Sequence, residues 1–508
     1  MSITALTLIL MRFLRPGFKY PWILAASGAG LSLISIFLWQ IHMPQSISLG
    51  SWQPATLFFS SPSLLADRIS WPYALSLATL SAAVIWTSVV RSEKDPVAWA
   101  GILLLAALGI LAVAAENPLT LILVWTAIDV TELVIMLRST EGAADNQGVV
   151  IAFASRMGGT ALVMWAALIT AAGGAPLNFS AIPSNVGIFL LMAVGLRLGV
   201  LPLHLPYRKE TNLRRGVGTS LRLVSAAASL SLLAHIPAIP MRSTLTLLLI
   251  LLAGITAVYS SWMWLRASDE ILGRPFWVLG MASLSVAASL NGNPIGSIGW
   301  GVLLIIVGGL LFLFSARQRS ILWLPLIGVL ELSSLPFTVS ASGWQTAGMN
   351  WLFGIPFLVA QALLIAGFFR HSLHPGETSL ESQDRWVKVL YPAGLAMLAI
   401  TAISLGFWGW GGAHLAGLGW QTIVVDVLAV GIIVLVSRFM VRLKPAGSTN
   451  QWSQLFRLEW LYKTLSNLYS LLQSLVGNLT SSFEGEGGLL WSFLLLVLFL
   501  SVLSTFGH

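Results

Sequence analysis

The sequence predicts an all-α polytopic membrane protein with about 14–16 transmembrane helices, two of them broken, and a C-terminal amphipathic lateral helix. Three observations predict it: a scarcity of charge, a series of long apolar runs, and a one-sided distribution of basic residues. Charged residues make up 9% and hydrophobic residues 56% of the 508 positions, whereas soluble domains carry about 25% charged residues. The chain has no cysteine, which excludes disulfides, iron–sulfur clusters and thiolate metal sites.

Apolar runs of about 20 residues, the length that crosses a bilayer, recur along the whole chain. Segment 1–13 is apolar but short, and we interpret it as a thin first span or an N-terminal segment, not as a signal peptide. A final span is predicted at 488–506. The fourteen runs between them cover residues 20–41, 71–91, 96–115, 117–137, 149–172, 186–206, 217–236, 243–265, 274–291, 294–316, 321–340, 349–369, 388–410 and 419–441.

Basic residues are concentrated on one side of the predicted membrane. When successive loops are assigned to alternate sides and basic residues near the span ends are counted with the adjoining loop, 22 of the 27 lysines and arginines fall on the side that precedes span 20–41. The opposite side holds Arg68 and Arg242, and three arginines fall inside spans. The positive-inside rule makes the basic side cytoplasmic, in a bacterial inner or plasma membrane or a thylakoid. The net charge of +8 then reflects loops facing anionic lipid, so lipid is the expected partner and nucleic acid is not.

The pattern divides the chain into N-terminal helices 1–116, a first half 117–265, a second half 266–441, a lateral segment 442–487 and a last span 488–508. Within the lateral segment, residues 451–478 place apolar residues at helical spacing opposite a polar face. We interpret this helix as an ordinary interfacial helix or as a lateral strut. No loop is long enough for a nucleotide or flavin domain, so we predict no cofactor site and no metal ligands.

A few ionisable residues lie inside the predicted spans, where a charge costs at least about 2.5 kcal/mol and therefore faces the protein interior. Asp129 and Glu132 are three residues apart, which places them on one helix face. Two interpretations stay open: buried ion pairs that hold helices in register, or a path for protons or cations. The candidates for a path are Asp129, Glu132, Arg197, His204 and Glu331, and the candidates for charge pairing are Arg156, Arg222 and Asp426.

Two predicted spans contain prolines that break them. Pro202 and Pro206 lie in span 186–206, and Pro336 lies in span 321–340. Proline removes a backbone hydrogen bond, and broken helices at membrane depth are tolerated where they are buried in protein or line a cavity. Because one break lies in each half of the chain, the pair indicates two related halves, as in transporters built from inverted repeats.

Three segments resemble the proton-conducting, antiporter-like family, which includes the large membrane subunits of complex I and the Mrp cation/proton antiporters. Residues 197–206, Arg-Leu-Gly-Val-Leu-Pro-Leu-His-Leu-Pro, resemble the family's seventh-helix motif. Residues 117–125, Asn-Pro-Leu-Thr-Leu-Ile-Leu-Val-Trp, resemble its fifth helix, and residues 335–345 resemble its broken twelfth helix. Residues 486–491 are similar to the start of the last helix in some members. The resemblance implies sixteen spans if segment 1–13 crosses the membrane.

The chain departs from the family pattern at the charged positions. The fifth-helix glutamate directly follows tryptophan in the family, and here that position is Thr126, with Asp129 one turn further on. Arg197 replaces the seventh-helix lysine, and the eighth-helix segment carries Arg222 without a lysine. The twelfth-helix charged position lies near the neutral Gln345. Because arginine does not release its proton, it cannot be a carrier as lysine can.

The resemblance implies a membrane subunit of a complex I-like, NADH- or ferredoxin-quinone oxidoreductase or of a Mrp-like assembly, taking part in proton or cation translocation. Its partners would be other integral membrane subunits of a hetero-oligomeric complex. As an enzyme it would be at most a translocating subunit without a catalytic cofactor site of its own. Two alternatives stay open: a divergent scaffold subunit with a sealed path, and a membrane partner in inorganic-carbon uptake.

Overall fold

The computed structural model describes residues 1–15, 20–48, 50, 61–90, 96–139, 143–205, 215–236, 244–345, 351–374, 376–410 and 420–440, with three single residues beyond them. The predicted last span at 488–506 lies outside the described residues, and so does the predicted lateral helix except for Asn467, Ser470 and Ser474. The chain divides into units 1–446 and 447–508. Everything that follows concerns the first unit.

Helices make up nearly all of the described secondary structure, which confirms the predicted all-α polytopic class. Twelve of the described helices are long and apolar enough to cross a membrane. The helices are α1 Ser2–Leu14, α2 Pro21–His42, α3 Ser70–Thr87, α4 Pro96–Val113, α5 Pro118–Ser139, α6 Ala143–Ala172, α7 Gly187–Leu198, α8 Arg215–Leu230, α9 Thr244–Arg266, α10 Glu270–Leu290, α11 Pro294–Leu313, α12 Trp323–Leu332, α13 Trp351–Ser372, α14 Arg385–Trp408 and α15 Trp420–Met440.

All fourteen apolar runs predicted between residues 20 and 441 coincide with these helices. The short N-terminal run forms α1, whose 13 residues extend about 20 Å at 1.5 Å per residue. That length is less than the roughly 30 Å of a hydrocarbon core. Segment 1–13 is therefore helical but too short to cross a bilayer upright.

The centre of the bundle is formed by α3, α8 and α11, because nearly every residue of each is buried. Helices α2 and α15 lie at the rim, with apolar side chains such as Phe37 and Val427 exposed. A helix that is apolar all round suits either a protein core or a lipid environment, so the rim helices can face lipid tails without polar cover.

Side-chain caps set the start of several helices. The Asp269 carboxylate accepts from the backbone N–H groups of Ile271 at 2.9 Å and Leu272 at 2.8 Å, so α10 begins at Glu270. Asn293 caps α11 in the same way, accepting from Gly296 N–H at 2.8 Å. These acceptors satisfy helix-end donors that have no partner within the helix.

The two predicted broken helices are present as α7 and α12. Helix α7 ends at Leu198, and the residue that follows, Gly199, has a left-handed φ of 79°. The backbone N–H of His204 donates to the Gly199 carbonyl at 2.9 Å. Helix α12 ends at Leu332 and is followed by the 3₁₀ segment Val339–Trp344. Both breaks contain buried residues, His204 at the first and Ser334 at the second, but Pro202 and Phe337 are exposed.

A small hairpin is the one described departure from helical structure. Strands β1 Gln45–Ser48 and β2 Ser63–Ala66 pair antiparallel, with Gln45 opposite Ala66. Leu65 N–H donates to the Ala114 carbonyl at 2.7 Å, which attaches the hairpin to the end of α4. Both strands lie between the predicted spans 20–41 and 71–91.

Candidate functional site

Five ionisable side chains meet in the interior of the first half and define the central charge cluster: Asp129, Glu132, Arg156, Arg197 and Arg222. Four helices supply them: α5 carries both carboxylates, and α6, α7 and α8 carry one arginine each. Each side chain is at most 2% exposed. The structure thus brings together three of the five path candidates and two of the three charge-pairing candidates.

Asp129 is held by two arginines. Arg197 binds it in a two-point contact, from Nη1 to Oδ2 at 2.7 Å and from Nη2 to Oδ1 at 2.9 Å. Arg156 approaches from the other side, with its Nε 3.3 Å from Oδ1. Two-point guanidinium–carboxylate pairs are among the strongest hydrogen-bonded ion pairs in proteins, and they fix orientation as well as distance.

Glu132 lies one turn further along α5 and also contacts two arginines. Its Oε1 accepts from Arg156 Nη1 at 2.8 Å and from Arg222 Nη1. Arg156 therefore bridges the two carboxylates. The other carboxylate oxygen, Oε2, has no hydrogen-bond partner among the described residues.

Neutral groups complete the surroundings of Arg197. Its Nε donates to Ser229 Oγ at 3.2 Å, and its Nη1 donates to Thr160 Oγ1 at 3.0 Å. The guanidinium carbon lies 4.1 Å from the centre of the Trp125 ring, a cation–π contact. Gly159 allows this close approach, since a Cβ at that position would lie against the Arg197 side chain and 2.8 Å from the Ala193 carbonyl. Arg197 is consequently locked in one orientation.

The cluster is rich in charge but poor in groups that exchange protons. Arginine stays protonated in proteins, so none of its three cations can accept or release a proton. Charges this deeply buried are tolerated only when they are paired and hydrogen-bonded. The arrangement is therefore well suited to holding α5, α6, α7 and α8 together and poorly suited to a lysine-type relay.

His204 and Glu331 lie at the two helix breaks and not in the central charge cluster. His204 Nδ1 lies 2.8 Å from the Pro202 carbonyl, and its buried Nε2 has no hydrogen-bond partner among the residues described. Glu331 Oε2 accepts from Val339 N–H at 3.1 Å across the break. Within the described part of the chain no lysine or arginine forms an ion pair with Glu331.

Three other residues that the sequence analysis named lie outside the central charge cluster. Thr126 is neutral and donates to the Ile122 carbonyl at 2.7 Å on its own helix. Gln345 is exposed at the end of the 3₁₀ segment that follows α12. Asp426 is partly buried on α15 and pairs with no cation in the described ranges. These three residues take no part in the central charge cluster.

Gln361 occupies the α12 break, and the sequence analysis did not identify it. Its amide nitrogen donates to the Leu332 carbonyl and to Ser334 Oγ, both at 2.6 Å. Its amide oxygen accepts from Trp344 Nε1 at 2.8 Å. The signal available in the sequence was a single amide side chain in the middle of the apolar run 349–369, which indicates a residue with hydrogen-bond partners inside the protein.

A second charged group lies where α8 and α10 begin. Glu270 Oε1 accepts a hydrogen bond from Arg215 Nη1 at 2.9 Å and forms an ion pair with Arg317 Nη2 at 2.7 Å. Arg215 also pairs with Glu377. Arg215 is the first described residue of α8, two residues before the predicted span 217–236, and Arg274 lies within α10, which begins four residues before the predicted span 274–291.

Comparisons with known proteins show similarity in structure and none in sequence families. No family model matches the sequence, and no curated protein matches it. Among solved structures, a chain of the Mrp complex from Dietzia sp. DQ12-45-1b is similar with a TM-score of 0.72 and 17% identity. That match covers 100% of this chain and 62% of the other, so the chain spans less than two thirds of the Mrp chain's length.

Two respiratory complexes contain chains of similar fold. A chain of the membrane-bound sulfane sulfur reductase, an archaeal respiratory membrane complex, matches with a TM-score of 0.67 and 15% identity over 99% of both chains. A chain of respiratory complex I from Thermus thermophilus matches with a TM-score of 0.62 and 16% identity, over 85% of this chain and 98% of the other.

The chain therefore shares its fold with chains of these membrane complexes. The resemblance that the sequence motifs indicated is confirmed at the level of the fold. The protein is an integral membrane protein of this structural class, and at 15–17% identity the likeness extends to the fold alone.

Proposed function

We propose that this chain is a membrane subunit of a multisubunit, Mrp-like or complex I-like assembly that translocates protons or cations. The similarity in fold over almost the full length of the chain supports this proposal. Within the assembly, the central charge cluster is a fixed structural element that seals the first half of the subunit. Its partners are other integral membrane subunits, and any redox cofactor belongs to them.

One observation carries the proposal of a sealed first half. Arg197 occupies the position of the family's lysine and binds Asp129 through two hydrogen bonds of 2.7 and 2.9 Å. A lysine relay works because the ammonium can give up its proton, whereas a guanidinium keeps it. This pair therefore cannot open by deprotonation of its cation, which is the step that a lysine relay requires.

The test measures proton flux through the assembly. The complex is purified with its partners, reconstituted into vesicles and assayed with an internal pH dye, and the flux is normalised to assembled complex. We expect Asp129→Asn and Glu132→Gln to leave the flux per complex unchanged. A large loss of flux in either variant, with the complex intact, would show that the cluster carries protons.

A second candidate function, proton transfer through the helix breaks, is favoured by His204 and Glu331. Both are buried, both can exchange protons, and neither is tied to an arginine in the described part of the chain. For this candidate, Glu331→Gln removes the flux while its amide oxygen still accepts from Val339 N–H. Glu381→Gln, at an exposed carboxylate, is the matched control and leaves the flux intact.

A further inference from the structure

Three side chains that commonly bind metals converge beside the Glu270 arginine pairs. Glu270 is the first residue of α10, His371 lies in the last turn of α13, and His374 follows two residues after α13 ends. One potential ligand atom from each lies within 4.8 Å of the other two. The spacing His-x-x-His brings both imidazoles to the same end of one helix.

The hydrogen bonding of His371 leaves one ring nitrogen unused. Its Nε2 lies 3.0 Å from the Trp264 carbonyl, and because a carbonyl only accepts, Nε2 must carry the proton. Nδ1 then presents a lone pair, and this buried atom has no hydrogen-bond partner in the described ranges. A carbonyl that fixes the far nitrogen of an imidazole is the usual support of a metal-binding histidine.

Glu270 is oriented for the same purpose. Arg215 Nη1 donates to its Oε1, and Arg317 Nη2 forms an ion pair with the same oxygen, so Oε2 is the oxygen that we assign to a cation. Hydrogen-bonded carboxylate ligands are typical of metal sites. Two of the nearby arginine charges are balanced, since Glu270 and Glu377 pair with Arg215 and Arg317.

Helix ends of both signs lie around the site. Helix α13 ends at Ser372 and α9 ends at Arg266, so the carbonyl-rich ends of two helices meet near His371. The C-terminal end of a helix carries about half a negative charge and stabilises cations. Helix α10 begins at Glu270, and its N-terminal end carries the opposite partial charge, so the ligand atoms and not the helix ends select for a metal.

We propose that Glu270, His371 and His374 form a binding site for a divalent transition metal, with Zn²⁺ as the best match. Two imidazole nitrogens and one carboxylate oxygen are a common zinc ligand set that leaves a fourth position for water. Tetrahedral ligands at about 2.1 Å from zinc are about 3.4 Å apart, so the side chains close by about 1.4 Å or less. His374 is only partly buried and can rotate to do so. The metal links the start of α10 to the end of α13, independently of the proposed translocation.

The test measures zinc binding by the full-length chain, purified in detergent with a tag that contains no histidine. After the protein is stripped with a chelator, zinc affinity is measured by competition with a chromophoric chelator, and cobalt is added as a spectroscopic probe. We expect about one equivalent of zinc and visible cobalt absorption from a site with nitrogen ligands. His374→Ala and Glu270→Gln should each weaken zinc binding by more than about tenfold.

His42→Ala is the control, since His42 lies at the exposed end of α2 and its loss should leave zinc affinity unchanged. His371→Ala removes a fully buried side chain, so size-exclusion chromatography must show that it folds. If it does not, His374→Ala and Glu270→Gln decide the matter. Wild-type protein that retains less than about a tenth of an equivalent, or unchanged affinity in His374→Ala, would overturn the proposed site.

Discussion

Replacing Asp129 with asparagine tests how much the central charge cluster contributes to stability. The exchange keeps the shape of the side chain but removes the charge that Arg197 contacts at 2.7 and 2.9 Å and Arg156 at 3.3 Å. Two guanidinium groups then lie 2% exposed or less beside a neutral amide. We expect the free energy of unfolding to fall because a buried arginine charge loses its partner.

The magnitude follows from Coulomb attraction. Unit charges about 4 Å apart attract by about 4 kcal/mol at an effective dielectric constant of about 20. Removing one partner of a buried pair costs about 3–5 kcal/mol in practice, because the other charge stays buried. We therefore expect Asp129→Asn to lower the free energy of unfolding by about 3–5 kcal/mol.

The measurement is reversible unfolding of the detergent-solubilised chain, combined with a double-mutant cycle through Arg197→Gln. The coupling between positions 129 and 197 separates their pair interaction from the cost of each single change. Glu377→Gln is the matched control, because it also removes one carboxylate from an arginine pair, but at a side chain that is 57% exposed. Exposed pairs contribute about 0–1 kcal/mol.

Two results would refute this reasoning about the cluster. One is a decrease in the free energy of unfolding of Asp129→Asn that is no larger than the decrease in Glu377→Gln. The other is a coupling energy between Asp129 and Arg197 below about 0.5 kcal/mol, the limit within which distant sites add independently. Either would mean that the ion pair is not a stabilising contact.

Three further substitutions test other contacts by the same unfolding measurement. Gly159→Ala places a Cβ against Arg197 and 2.8 Å from the Ala193 carbonyl, so we expect a loss of about 1–3 kcal/mol from overpacking. Gln361→Leu leaves the Leu332 carbonyl, Ser334 and Trp344 without their amide partner, and each unsatisfied buried group costs about 1–3 kcal/mol. Asp269→Ala removes the cap of α10 and should lower the free energy of unfolding by about 0.5–2 kcal/mol. Asp269→Asn should lower it much less, because asparagine is also a good N-cap residue. No loss in Gly159→Ala or Gln361→Leu would contradict the packing described at that site.

The spans could be predicted because each depends on a local property, a run of about 20 apolar residues. The breaks in α7 and α12 were also visible, since proline and glycine act on their own backbone. The partners of the charges were not, because pairing depends on which helices touch. Sequence spacing alone placed Asp129 and Glu132 on one face but could not assign Arg197 to Asp129.

Other contacts that the sequence analysis did not predict also depend on which helices touch. Gln361 fills a gap that exists only once α13 packs against the α12 break, and Gln345, nearer in sequence, is exposed there. The group of Glu270, His371 and His374 joins positions about a hundred residues apart. Caps and breaks can be predicted from the sequence because they depend on neighbouring residues. Contacts between distant helices cannot, because they depend on the fold.

The differences between the central charge cluster and the family motif that the sequence resembles make physical sense as a set. By that resemblance the fifth-helix carboxylate position corresponds to Thr126, and Asp129 lies one turn away, about 4.5 Å along the helix. A carboxylate displaced by a turn still pairs with α7 because arginine offers a fork of donors with a long reach. That fork supplies the two-point contact with Asp129 and the contacts with Ser229 and Trp125. The features that make Arg197 a better structural partner than lysine also keep it charged. Under the proposed function, the stability of the first half and the loss of a lysine-type relay both follow from having arginine and not lysine at position 197.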